Sequence, residues 1–165
     1  MIKRIILFTF IVFTFKGCTK DDICPPDTAT TAKVVIAFND IANPTVSKNV
    51  SVLSVETDYE TSVDVISFQS TNEIAIPLST TSDTTKYRFI RTTFRTTDTL
   101  TNIDKVMFVY QRQDSYVNRA CGFKTEYFNL EADLEDEGIE NWIKQVTVIR
   151  ETVNDENSAH ITMLH

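Results

Sequence analysis

From Lys33 onward, apolar and polar residues alternate with the period of a half-buried strand. Val34, Ile36 and Phe38 share one face of Lys33–Asn39, a first strand. Val52–Glu56 and Val63–Phe68 predict two more. Glu73–Leu78 is short and contains Pro77, which suits a sheet edge or a strand end. In Tyr87–Thr93, Tyr87 and Phe89 lie opposite Arg88 and Ile90. Val106–Tyr110 is apolar on both faces, as a central strand is. Asp114-Ser115 predicts a turn, with Tyr116–Phe128 returning as the hairpin partner. A last hairpin is expected from Trp142–Val153 and Ser158–Leu164 around Asn154–Asn157. Glu131–Glu140 is the one candidate short helix, interrupted by Gly138.

Thr, Val, Ile, Phe and Tyr dominate these segments, and such residues fit pleated surfaces. About eight short strands predict an all-β, immunoglobulin-like antiparallel β-sandwich. A small closed β-barrel is the alternative. Without repeats or a break in composition, residues 33–165 read as one domain.

The chain before Lys33 follows a different pattern. Lys3 and Arg4 precede an apolar run, Ile5–Phe15, broken only by Thr9 and Thr14. Eleven helical residues span about 16 Å, too little for the ~30 Å core of a bilayer. A charged start, a short apolar stretch and the small residue Gly17 read as an export signal over residues 1–17. Gly17-Cys18 has the form of a lipoprotein processing site, although Phe15 and Lys16 depart from the usual residues there. Cys18 is therefore the expected lipidation site, and residues 18–32 the anchor and tether.

Lys20-Asp21-Asp22, just beyond Cys18, resembles the export signal that carries Bacteroidota lipoproteins to the cell surface. The longer head Cys18–Pro25 resembles a domain-of-unknown-function family of small lipoproteins from those bacteria. Asp40–Pro44, Arg119–Phe123 and Glu156–Ile161 fit the same family. The resemblance implies a location, at the outer membrane and facing outward, with the periplasmic face as the alternative. It implies a shared fold and brings no catalytic residues.

With Cys18 lipidated, Cys24 and Cys121 remain. Outside the cytoplasm two thiols in one small domain usually pair, so a Cys24–Cys121 disulfide is expected. Loss of residues 1–17 removes Lys3, Arg4 and Lys16, leaving thirteen Lys plus Arg against 23 Asp plus Glu. That acidic balance argues against a nucleic-acid partner, which needs clustered positive charge. It argues equally against a body docked on anionic headgroups.

The chemical inventory is sparse. No nucleophile elbow, metalloprotease helix, phosphate loop or dinucleotide turn is present. No catalytic residue, metal ligand or cofactor is assigned. His160 is expected as a surface or cross-strand residue, and His165, at the end of the sequence, as frayed. The acidic run Glu131–Glu137 lacks the spacing that wraps calcium and reads as a solvated face. Ser79–Thr85 and Thr92–Thr101 are hydroxyl-rich, solvent-facing stretches and candidates for a binding loop. Trp142, the single tryptophan, is expected in the core. These features favour a lipid-anchored protein-binding or envelope-assembly module, partnered by an outer-membrane or other envelope protein. Carbohydrate binding or glycan processing is the alternative.

Overall fold

The structure is a computed structural model that describes residues 23–165. Cys18 and the Lys20-Asp21-Asp22 signal lie outside the described residues. The described chain is all-β, in two sheets that do not close into a barrel. It divides into two compact units.

The larger unit spans Thr30–Ser115 and Thr125–His165 and holds the first sheet and all of the second except the ends of its two longest strands. The first sheet is built on β1 (Val34–Asp40). β10 (Ile161–Leu164) pairs with it in parallel, Ile36 opposite Ile161 and Asn39 opposite Leu164. β9 (Gln145–Val148) pairs antiparallel with β10. Two short strands pair antiparallel with β1. β5 (Glu73–Ile76) takes Val34–Ala37, and β2 (Asn43–Ser47) takes Asn39 and Asp40.

The second sheet runs β4-β3-β6-β7-β8, with β3 at Val50–Thr57, β4 at Asp64–Thr71, β6 at Thr84–Phe94, β7 at Thr99–Asn118 and β8 at Gly122–Leu134. Its inward residues alternate as a period of two requires. Leu53 and Val55 come from β3, Tyr87 and Phe89 from β6, and Val106, Phe108 and Tyr110 from β7. They form one core with Val34, Ile36, Phe38, Ile74, Ile76, Ile161 and Met163 of the first sheet. Stacking two apolar faces in this way makes the sandwich.

β8 shows why its pattern is hard to read. Tyr127 points inward at an odd position and Leu130 at an even one. The parity switches at Asn129, whose φ of 51° marks a bulge. Asn tolerates that left-handed backbone better than other non-glycine residues do.

Several expectations are corrected. No turn forms at Asp114-Ser115, because Asp114 accepts a hydrogen bond from the Thr125 hydroxyl at 2.8 Å and β7 continues to Asn118. The last two strands do pair, but without a tight turn. The chain between them leaves the sheet so that Val153 can enter the core, and Tyr127 and Val153 exchange backbone hydrogen bonds. The parallel β1–β10 pair departs from a wholly antiparallel arrangement. In place of a helix over Glu131–Glu140, β8 runs to Leu134 and only Gly138–Glu140 forms a 3-10 turn. Much of the Thr92–Thr101 stretch pairs as a hairpin, Thr92 with Thr101 and Phe94 with Thr99.

The smaller unit joins residues up to Ala29 with Tyr116–Lys124. Cys24 and Cys121 form a disulfide within it, with Cα atoms 4.9 Å apart. Asn118 Oδ1 accepts from the N–H groups of Ala120 (2.9 Å) and Cys121 (2.8 Å), which turns the chain. Gly122, at φ 75°, then takes the left-handed backbone that the turn demands.

Candidate functional site

The most elaborate polar construction in the larger unit surrounds the loop between β5 and β6. Four successive carbonyls of this loop each accept a hydrogen bond from a side chain of the second sheet. Tyr87 donates to Pro77 O, Tyr127 to Leu78 O at 3.0 Å, Tyr110 to Ser79 O at 3.2 Å, and Arg112 to Thr80 O at 2.6 Å. Arg112 also holds Asp83 at 2.7 Å. Ser79 N–H donates to the Thr85 hydroxyl, which itself bonds the Tyr110 hydroxyl.

The three tyrosines lie on successive strands β6, β7 and β8, in phase with the inward residues. Their rings fill the core, and their hydroxyls find partners at its rim, as buried tyrosines generally do. Burial pushes the Tyr87 and Tyr110 hydroxyls above their ordinary range, and pushes Tyr127 up to about 12 with a smaller contribution from Tyr110. All three are neutral donors at physiological pH.

The clamp gives the Ser/Thr cluster a fixed shape. Thr57, Tyr59, Ser79, Thr81, Ser82 and Thr84 help line an open depression of about 530 Å³. Tyr59 is 53% exposed. The depression offers hydroxyls and two tyrosines, the exposed Tyr59 and the buried Tyr87, with no carboxylate in its lining. A second depression, about 210 Å³, is bordered by Lys86, Lys105, Asp58, Asp133 and Glu135. Lys105 and Glu135 pair there at 3.4 Å. Its carboxylates are interleaved with lysines and have no aromatic beside them.

His160 is a cross-strand partner of β1 and not a surface residue, and His165 is not frayed. His160 is fully buried. Its ring Nδ1 accepts from Val35 N–H at 3.0 Å, and its backbone N–H donates to Val35 O at 2.8 Å. The ring is therefore the Nε2–H tautomer, and burial lowers its pKa. The preceding residues serve the same end. Glu156 accepts from Lys33 N–H at 3.0 Å, while Arg150 grips Asp155 and Ser158. The Glu156–Ile161 stretch thus fastens the start of β1 and performs no visible chemistry.

His165 is packed edge-on to Phe38 and Trp142, and its backbone bonds Asn39 and Ile41. These contacts replace the expected fraying. Trp142 lies in the core, as expected, and donates to Phe89 O at 3.0 Å.

Asp104 is a buried group that the sequence reading missed. It shares the inward phase of Val106 and Phe108, and a carboxylate in that phase was the available signal. It accepts from Ile143 N–H at 2.6 Å and so anchors the Trp142 loop, while burial raises its pKa. Arg91 lies 5.1 Å over the Trp142 ring, a cation–π contact. Among the described residues no group of three or more His, Cys, Asp or Glu is placed to hold a metal ion.

Cys24 and Cys121, the only expected site residues within the described chain, are joined as expected. The same unit holds Tyr116 and Phe123, the latter two residues beyond Cys121, as an edge-to-face pair with centroids 5.4 Å apart.

No curated protein and no solved structure matches the chain. Residues 49–165 match a family of unknown function, DUF6452. The match takes in Arg119–Phe123 and Glu156–Ile161 and begins beyond both the Cys18 head and Asp40–Pro44. Because it spans most of the sequence, the chain belongs to this family of unknown function, DUF6452.

Proposed function

We propose that the mature protein is a lipoprotein anchored through Cys18 at the outer membrane, facing outward, where it binds another envelope protein. The observation that carries the reading is the run from Lys3 through the apolar segment to Gly17-Cys18, followed by Lys20-Asp21-Asp22. The Cys24–Cys121 disulfide supports it, since such bridges persist in oxidising compartments. The bridge also holds the domain within six residues of the anchor.

β4 supports the protein-binding part. It ends the second sheet, so among the described residues one side of its backbone pairs with no strand, and Val63, just before it, and Phe68, within it, are exposed. Such an edge can accept an extended strand from a partner through main-chain hydrogen bonds. In-cell crosslinking followed by pull-down is expected to capture an envelope protein, with crosslinks at β4. If Cys18 is shown to carry lipid and no envelope protein is captured, the binding role fails.

A second reading is carbohydrate recognition, favoured by Tyr59 beside the hydroxyl-lined depression. It predicts binding to a surface glycan that Tyr59→Ala abolishes. It fails if the wild-type protein binds nothing on a glycan array, or if Tyr59→Ala binds the same glycan as well as wild type does.

A further inference from the structure

The smaller unit exposes apolar groups next to its disulfide. Tyr116 is 60% exposed, Phe123 69% and Ile23 73%. Tyr116 and Phe123 face each other across the β7–β8 hairpin, where they cover one another without being covered. Ile23 directly precedes the bridged Cys24.

We infer that this hairpin end is a membrane-interface foot, with Phe123, Tyr116 and Ile23 seated in the headgroup region of the bilayer that holds the lipid. The inference rests on the proposed lipidation of Cys18. Its occupant follows from the length of chain involved. Cys24 lies six positions beyond Cys18, and a fully extended chain of that length reaches only about 20 Å. The disulfide passes that limit on to Cys121, next to Gly122 and Phe123. The exposed apolar groups are thus confined near the surface in which the lipid is buried.

The residue types fit that depth. Tyr and Phe offer apolar bodies to the interface, and Tyr keeps a polar tip for the headgroups. The distribution of charge agrees. Residues 18–29 and 116–124 carry three Lys or Arg (Lys20, Arg119, Lys124) and three Asp (Asp21, Asp22, Asp27). The whole excess negative charge of the mature chain therefore lies in the remaining residues. An anionic surface repels the larger unit and leaves the foot unopposed.

The test uses the processed, full-length protein in phosphatidylcholine vesicles whose acyl chains are brominated. Trp142 is buried and supplies a constant background. Phe123→Trp places a second indole on the foot, and Phe94→Trp places one at a comparably exposed site (68%) on the β6–β7 hairpin. Phe123→Trp fluorescence is expected to shift to the blue and to be quenched at least about twofold more than Phe94→Trp. Equal quenching at the two sites overturns the inference, as does no quenching at Phe123→Trp. Mass spectrometry of the N-terminal peptide separates the two kinds of failure. A lipid-bearing Cys18 with an unquenched Phe123→Trp removes the foot alone, whereas an unmodified Cys18 removes the anchor and the foot together.

Discussion

Tyr127→Phe removes one hydroxyl and keeps the ring. The side chain is fully buried, and its ring meets Tyr110 edge-on at 5.0 Å, so packing is preserved. What is lost is the donor to Leu78 O, on a residue only 5% exposed. Stranding a buried acceptor costs about 1–3 kcal/mol, and a carbonyl with two lone pairs falls toward the lower end. We predict a loss of about 1–2 kcal/mol, equivalent to roughly 2–8 °C in Tm for a domain of this size. Urea unfolding followed by Trp142 fluorescence measures it, with an unchanged m-value showing that only the native state is affected. Amide exchange at residues 79–85 should quicken as the clamp loosens. Tyr59→Phe is the control, because its hydroxyl only accepts a 3.3 Å bond from Lys86 N–H at an exposed site. Alkaline titration adds a signed test. The Tyr127 pKa rises from 10.0 to about 12 on folding, so stability present below pH 10 is lost as pH climbs through 12. Tyr127→Phe should remove that share of the slope. If Tyr127→Phe matches Tyr59→Phe in urea and wild type in alkali, the clamp does not stabilise the loop.

Other predictions follow from the buried groups and the bridge. Cys24→Ser/Cys121→Ser opens a loop of 97 residues and should cost about 2–4 kcal/mol, read as a lower urea midpoint than the oxidised protein. His160 and His165 both have pKa values lowered by burial, so the unfolded chain takes up protons first; stability should fall as pH drops below 6.5, and His160→Gln should flatten that slope. Asp104→Ala leaves Ile143 N–H without its acceptor and should cost about 1–3 kcal/mol, with Trp142 emission shifted to the red. Asn129→Val places a β-branched residue at φ 51° and should cost at least about 1 kcal/mol, whereas Asn129→Gly should be tolerated. An Asn129→Val protein as stable as wild type would show that β8 has no bulge there.

Local periodicity made β1, β5 and β6 readable, because each has a regular inward face, while β3 and β4 were readable from their β-branched and aromatic residues although β3 switches parity near Val52 and β4 buries no residue fully. It failed where a distant partner decides the outcome. Asp114 looks like a turn residue until Thr125 supplies a hydrogen bond across the hairpin. Val153 belongs to a strand-like run, yet Tyr127 draws it out of register with β10. Asn43–Ser47 is wholly exposed and contains Pro44, so it has no apolar face to announce β2. The parallel β1–β10 contact joins residues more than a hundred positions apart and leaves no local trace. Of the polar groups, the disulfide was readable by counting cysteines. The tyrosine clamp was not, since its acceptors are backbone carbonyls of a loop that carries no sequence signature.

The most direct measurement of the central claim is mass spectrometry of the N-terminal peptide from washed membranes, paired with protease shaving of intact cells. The expected product is a chain that begins at Cys18, bears acyl chains on that residue and is cut away by external protease. A protein that retains Met1, or is recovered unmodified from the aqueous fraction, would contradict it.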